Sequence, residues 1–300
     1  MISVIMSLYN ENLKLISEAI ESILGQTYKD FEFIIINDNP ENSDIETAVK
    51  KYIKNDNRIL YEKNSSNIGL AESLNKALLL CKGEYVARMD GDDISDLHRL
   101  EKEIAYMKFH PECDVVCSGV ITIDEDGKRT DKNLYRPKND KVLMKNLKYG
   151  NPIVHPTTMI KKKTIIEING YNELLAAQDY DLWLRILYQG GIFHYIDEEL
   201  LYYRIRKKST TISCSAVQSL STKYIMDLRK SKKTFDKESY LYNIDKYLND
   251  INFQRHYSVF NSFKYNHSII EFTKLIGVIM SDNLIRQIVI KNIVFSFSSK

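Results

Sequence analysis

Apolar and amphipathic stretches alternate through the first 90 residues. Ile2–Leu8, Phe31–Ile36, Arg58–Tyr61 and Tyr85–Met89 are short, mostly apolar runs. Between the first two, Leu13, Ile16, Ile20, Ile23 and Leu24 fall on one helical stripe, which Gly25 ends. Ile45, Val49, Tyr52 and Ile53 mark a second helix, with Ser43 expected as its cap. Leu70, Leu74, Ala77, Leu78 and Cys81 mark a third, ended by Gly83. Short buried strands separated by helices of 10–15 residues predict βαβ units. The expected class is α/β, Rossmann-like, with a mostly parallel central sheet flanked by helices.

Beyond residue 110 the pattern changes. Asp114–Ile123 reads as strand, and Glu125-Asp126-Gly127-Lys128 as a turn. An extended stretch follows, then a helix near 139–148, a strand over Thr157–Ile160, a helix over Asp179–Tyr188 and a strand over 200–205. From about 214 the chain reads as helical, with a soft boundary near 210–220. Leu284, Ile285, Ile288, Val289 and Ile293 form an apolar stripe in this C-terminal extension.

Composition narrows the class. Of 300 residues, 44% are apolar and 27% charged, which excludes a disordered, collagen-like or coiled-coil chain. Cys81, Cys113, Cys117 and Cys214 are too few for a disulfide framework and form no CxxC pair, so a reducing compartment is expected. Cys113 and Cys117, four apart in an expected strand, should share a face as core thiols. The net charge is only +2, but residues 201–300 hold 17 Lys and Arg against 7 Asp and Glu, leaving 25 against 33 in the rest. A basic tail suits an anionic partner, either a membrane surface or a nucleic acid. No apolar run approaches the ~18 residues that span a bilayer. A core strand at Ile2–Leu8 leaves no room for a signal peptide, so a cytoplasmic location is expected.

Ligands of open α/β sheets sit beyond the carboxyl ends of the strands. Here those ends carry Ser7-Leu8-Tyr9-Asn10-Glu11, Asn37-Asp38-Asn39-Pro40 and Asp90-Gly91-Asp92-Asp93. Asn10, Asp38 and Asp92 could each cap a following helix instead. Three such sites on one edge favour a nucleotide-binding rim. Three carboxylates in four residues repel unless a cation lies between them, and oxygen ligands suit Mg²⁺ or Mn²⁺. Gly91 leaves room for a ligand at the backbone. Walker and GxGxxG loops are absent, so phosphates must be held by metal and basic side chains.

These residues resemble a family 2 inverting glycosyltransferase of the GT-A fold. The likeness runs from residue 1 to about 212. It is carried by "ISVIMSLYNE", "ESILGQTYKDFEFIIINDNPENSD", "NIGLAESLNKALLLCKGEYVARMDGDD", "HPTTMIKK", "GYNE", "AQDYDLWLRI" and "YYRIRKKS" in family order. The subfamily resembled assembles bacterial capsule, lipopolysaccharide or O-antigen. The resemblance implies a UDP-sugar donor and a saccharide acceptor, the latter expected on an undecaprenyl diphosphate lipid. It places Tyr9 on the base, with Ser7, Leu8 and Glu11 beside it, and Asp38 on the uracil N3–H. Asp90 and Gly91 approach the ribose or sugar, and Asp92 binds Mn²⁺ or Mg²⁺. Asp179 is the catalytic base, and His155 and Gln178 contact the acceptor.

Several positions depart from the family pattern. Gln178 replaces the usual glutamate, which should weaken Asp179 as a base, because a like charge raises a carboxylate's pKa. Arg206 stands where close relatives have histidine; it can bind the diphosphate as a charge but cannot ligate a metal. A proline usual after the acidic loop is missing. Trp183 is expected in the core, and Lys161-Lys162-Lys163 in a solvated turn. The expected division is a catalytic domain over 1–212, with a nucleotide-sugar half to about 110 and an acceptor half beyond, then a basic extension over 213–300. That extension either touches an anionic leaflet through its apolar stripe or packs on the catalytic domain. Gln178 also motivates a rival reading, a non-catalytic sugar-nucleotide-binding scaffold. A nucleotidyltransferase would need a glycine-rich basic loop where "SLYNENLK" stands. No nucleic-acid motif accompanies the tail's charge, so no nucleic-acid partner is expected.

Overall fold

All seven residues of β1 (Ile2–Leu8) are buried, which requires a central strand covered on both faces. The computed structural model describes residues 1–130, 132, 134–205, 215–266 and 268–298. In it β1 pairs in parallel with β2 (Phe31–Asn37) on one side and β4 (Tyr85–Arg88) on the other. β3 (Ile59–Lys63) extends this parallel half beyond β2. Helices α1 (Leu13–Leu24), α2 (Ser43–Ile53) and α3 (Leu70–Leu80) make the crossovers where the periodicity predicts them. Asn12 caps α1 and Asn42 caps α2, each accepting a backbone N–H. Ser43 is therefore the first helical residue rather than the cap, and neither Asn10 nor Asp38 caps α1 or α2.

The second half completes a mixed sheet. Its elements are β5 (Ile94–Ser95), α4 (Arg99–Phe109), β6 (Val115–Ile123), α5 (Asp140–Leu147), β7 (Met159–Lys161), α6 (Lys162–Glu167), α7 (Gln178–Tyr188) and β8 (Phe193–Arg204). The strand order is β3-β2-β1-β4-β7-β6-β8-β5. β7 runs antiparallel to both β4 and β6, β6 is parallel to β8, and β5 is antiparallel to β8.

Several expectations change here for physical reasons. Strand β8 begins seven residues before the expected 200, because exposed Asp197, Glu198 and Glu199 interrupt its apolar pattern beside a bulge opposite Gly119. Cys113 precedes β6 and packs on the α1–α4 side of the sheet, whereas Cys117 packs with Trp183 on the other. The two thiols do not share a face. Burial pushes Cys113 up to about 12 and Cys81 up to about 11, as befits inert core thiols. Lys161-Lys162-Lys163 is the junction of β7 and α6, with Lys161 and Lys162 tied to the carbonyls of Pro111 and Cys81.

The C-terminal extension consists of α8 (Ser215–Lys230), α9 (Lys237–Leu248), α10 (Ile251–Asn266), α11 (Ile269–Ser281) and α12 (Asn283–Ser298). One apolar cluster runs from Val86, Val115 and Trp183 through Tyr240 and Phe253 to Ile285, Ile288 and Val289. The stripe is thus inside, as in the packing alternative: Ile285 is 0% exposed and Ile288 3%. The side chain of Ile293 and the boundary at 212–213 lie outside the described residues. Among the described residues no helix is long and apolar enough to cross a membrane.

Burial of the stripe gives a direct test. Ile285→Ala should lower unfolding free energy by ~2–5 kcal/mol, the usual cost of emptying a packed core site. Chemical denaturation monitored at Trp183 reads it. A cost near zero would return the stripe to the surface.

Candidate functional site

A cleft of about 790 Å³ opens over the carboxyl ends of β1, β2 and β4, where an α/β sheet is expected to bind its ligand. Ser7, Tyr9, Glu11, Asp38, Asp90, Asp92, His155, Gln178 and Asp179 all line it. Residues predicted from five separate segments are thereby brought to one cavity. Leu8 and Gly91 lie behind the wall. A Cβ on Gly91 would overlap the Leu8 side chain and press on Glu11. The room beside Gly91 is therefore filled by the protein itself rather than kept for a ligand. Arg206 lies outside the described residues.

The end of the cleft that carries Tyr9 and Asp38 is ordered by short hydrogen bonds. Tyr9 is exposed, and its N–H donates to the Glu11 carboxylate at 2.7 Å. Asp38 is buried; its Oδ1 accepts from the Asn64 amide and the Ile68 N–H, both at 2.8 Å, and its Oδ2 from the Gly69 N–H at 2.9 Å. A carboxylate has about four acceptor sites, so Asp38 both shapes the turn into α3 and keeps capacity for one more donor.

The acidic loop is braced by arginines that the sequence reading did not single out. Arg88, at the end of β4 and 2% exposed, pairs with Asp90. Arg99 is fully buried; it donates to the Arg88 carbonyl at 2.8 Å and pairs with Glu103 at 2.9 Å. Arg204, 3% exposed, donates to the carbonyls of Asp92 (2.7 Å), Asp124 (3.0 Å) and Glu125 (3.1 Å), pairs with Glu18 at 2.8 Å, and gives its own N–H to Asp93 at 2.8 Å. Burial holds the Asp93 carboxyl well above the usual range, and the charges of Asp92 and Asp90 push it further.

That mutual repulsion is the observation relevant to a cation. Among the described residues no three His, Cys, Asp or Glu side chains form a ready metal cage. Asp90 and Asp92 nevertheless face the cleft with only oxygen to offer, and they crowd a third carboxyl. Such a site suits a hard divalent cation whose shell is completed by substrate phosphate and water. The oxygen-only donors of Asp90 and Asp92 fit Mg²⁺ or Mn²⁺ by chemical type.

Across the cleft stands Asp179 in the first turn of α7. Ala177 before it takes the left-handed conformation, φ 61° and ψ 26°, which turns the chain sharply into the helix. Asn151 donates its amide to Asp179 at 2.7 Å. Burial raises the Asp179 carboxyl above its ordinary value; the Tyr180 N–H and Asn151 oppose this, and the charge of Asp90 adds to it. Asp181 is fully buried and turned away, accepting from Asn172 and Arg185 at 2.8 Å each. His155 is a buried ring with Nε2 2.9 Å from the Tyr171 hydroxyl and an edge-on contact to Trp183. Burial, and then the charge of Arg88, hold it well below its usual range, so it is a neutral group in the cleft floor. Trp183 is 0% exposed, the core residue expected.

Comparison with known proteins agrees with this geometry. The pattern described as Glycosyl transferase family 2 matches residues 3–168. The chain is similar to the uncharacterized glycosyltransferase MJ1057 of Methanocaldococcus jannaschii, with 37% identity over 81% of this chain and 84% of that one. It is likewise 37% identical to the O-antigen biosynthesis glycosyltransferase WbnJ of Escherichia coli, over 83% of this chain and 96% of that one. Among solved structures it resembles S. aureus TarS 1-349 in complex with UDP-GlcNAc, with a TM-score of 0.64 and 20% identity over 93% of this chain and 79% of that one. At that identity the likeness concerns the fold, which is the GT-A-like arrangement expected.

The Gly91–Leu8 contact can be tested through stability alone. Gly91→Ala should cost about 1–3 kcal/mol by overpacking. Paired with Leu8→Ala, the two costs should fall short of their sum by ~0.5–3 kcal/mol, as for residues in contact. Additive costs in denaturant unfolding would dismiss the contact.

Proposed function

The chain belongs to glycosyl transferase family 2 and is a glycosyltransferase; from that premise we propose that it moves a sugar from a UDP-sugar to a saccharide hydroxyl with inversion. The observation that carries the reading is Asp179, a half-buried carboxylate of raised proton affinity facing the acidic loop across one cleft. In the proposed reaction Asp179 takes the proton of the acceptor hydroxyl. The freed oxygen attacks the anomeric carbon, and the bond from that carbon to the diphosphate oxygen breaks with its electron pair on the phosphate. No covalent enzyme intermediate is formed.

Tyr9 would lie against the base, and the spare acceptor site of Asp38 would take the uracil N3–H. Asp92, with Asp90, would hold Mg²⁺ or Mn²⁺. When bound, such a cation neutralises charge on the departing diphosphate. Gln178 motivated a scaffold reading, but the chain is an enzyme by family, and the Asp179 carboxylate keeps its burial and its hydrogen bonds.

The proposed setting is bacterial surface polysaccharide assembly in the cytoplasm, with a lipid-linked acceptor. WbnJ's name, O-antigen biosynthesis, supports that setting, and UDP-GlcNAc in TarS supports the donor class. With the α12 stripe buried, contact with an anionic leaflet would fall to α11. There Phe272, Ile276 and Met280, spaced i, i+4 and i+8, are 50%, 42% and 77% exposed, within a basic last hundred residues.

Four measurements test the proposal. Asp179→Asn should lower kcat by ~10²–10⁴-fold with UDP affinity nearly unchanged. Because a raised pKa keeps the proton on Asp179 to higher pH, wild-type kcat should fall on acidification at a pH above the ordinary aspartate range; a limb at or below that range would contradict the burial. Asp92→Ala should abolish the Mn²⁺-dependent part of UDP binding in calorimetry, and unchanged affinity would overturn the metal assignment. Met280→Asp should reduce pelleting with anionic vesicles at low salt, where surface attraction is least screened. Equal pelleting with neutral and anionic vesicles would remove the leaflet contact.

A further inference from the structure

The loop that leads to Asp179 is fastened by helices of the C-terminal extension. Residues 171–177 join α6 to α7 without regular structure, so their backbone donors need partners elsewhere. The Leu175 N–H donates to the Tyr240 hydroxyl of α9 at 3.0 Å. Tyr240 is 0% exposed, and with that acceptance its own O–H is free to donate to Ser221 of α8, 2.7 Å away. The same loop is held on both flanks. Lys237 of α9 pairs with Glu173 and lies 3.7 Å from Glu72. On the far side of Asp179, Arg229 of α8 lies 3.5 Å from buried Asp181.

These contacts converge on a strained point. Ala177 sits in the left-handed region, which alanine holds only where its surroundings enforce it. Asp179 follows two residues later, so its direction into the cleft depends on that turn staying closed. Gln218, Lys237 and Leu241 also contribute to the cleft wall. The extension thus touches both the loop and the cavity.

We propose that α8 and α9 form the acceptor-side wall of the active site, with Tyr240 a positioning residue that locks the 171–177 loop and so aims Asp179. The proposal rests on Asp179 being the base. In it the extension is a working part of catalysis, whatever surface its outer helices meet. Tyr240 acts through Leu175 and touches no reacting atom.

The test uses the full chain carrying Tyr240→Phe, with Asp179→Asn as a parallel variant. The probes are UDP, and whichever of UDP-glucose, UDP-galactose and UDP-N-acetylglucosamine gives UDP release with a saccharide acceptor and Mn²⁺. Loss of the hydroxyl should speed amide exchange in the peptide spanning 172–178 and leave UDP affinity unchanged. It should lower kcat by ~10- to 10²-fold, the scale of a small misplacement of a reacting group. It should also move the acid limb of kcat downward, because an opened loop hydrates Asp179; a loss of folded protein alone would lower the rate without moving that limb. Wild-type exchange, kcat and pH profile in Tyr240→Phe, beside an inactive Asp179→Asn, would overturn the proposal while sparing the base. Full activity in Asp179→Asn would overturn the base and this role of Tyr240 with it. If Tyr240→Phe does not fold, Ser221→Ala keeps the ring and the Leu175 contact but frees the hydroxyl's anchor. The same shifts, smaller, are then expected, and their absence counts against the proposal.

Discussion

The architecture depends on keeping a carboxylate-rich loop against an apolar strand end. A buried ion without partners costs several kcal/mol, and Asp90, Asp92 and Asp93 follow directly on β4. Arg88 meets that cost at Asp90 through its side chain and Arg204 helps at Asp93 through its backbone N–H, while the Arg99 and Arg204 guanidinium groups hold the surrounding backbone. Each is almost wholly removed from water; Arg99 and Arg204 are held by several hydrogen bonds each, whereas Arg88 has its pairing with Asp90 and finds no protein acceptor for Nε and Nη1 among the described residues. Their acceptors are largely backbone carbonyls, at Arg88, Asp92, Asp124, Glu125 and Thr158. They therefore fix loop conformation as well as charge. Asp90 is left facing the cleft with a guanidinium behind it.

The sheet's change from parallel to mixed follows from the same need. Arg204 reaches the acidic loop because β8 runs parallel to β6 and carries its last residue back beside Asp92 and Asp93. β5, only two residues long, pins the chain after the loop to β8. Arg99 reaches the strand end just before it, at the Arg88 carbonyl, from α4, whose buried face combines Leu100, Ile104 and Met107 with Arg99 and Glu103. Burial outweighs the attraction of Arg99 at Glu103 and lifts its carboxyl to about 7. The pair thus serves geometry more than stability, as buried pairs commonly do.

This explains what was legible in the sequence and what was not. The parallel half could be read because its buried positions are apolar and recur at helix or strand period. α4 and β5 went unread because a buried Arg–Glu pair breaks the apolar stripe and two residues make no pattern. Arg88, Arg99 and Arg204 look like surface cations until the fold closes over them. Ser7, Tyr9, Asp38, Asp90 and Asp92, which line the cleft, could be picked out because the ends of parallel strands converge on one edge, whereas Asp179, in α7, came from the family resemblance. For Gly91 the residue was informative but its reason was not, since Leu8 fills the space. Periodicity also showed that α12 has an apolar stripe without saying what covers it. The neighbours that bury it, on α10 and α11, are visible only in three dimensions.

The two sides of the cleft are electrically unlike, and that difference suits them to different tasks. On the β4 side a carboxylate backs onto Arg88, an environment that favours charge and suits cation and phosphate binding. On the α7 side Asp179 has an amide and a backbone N–H, with no cation in hydrogen-bond contact among the described residues. Its proton affinity is raised mainly by burial, which suits the proton-accepting role proposed for it. A glutamate at position 178 would have added a negative neighbour and raised that affinity further. With glutamine there, burial becomes the main control. Burial at this point depends on how tightly the preceding loop is closed, so in the proposed mechanism the strength of the base is tied to packing rather than to a paired charge.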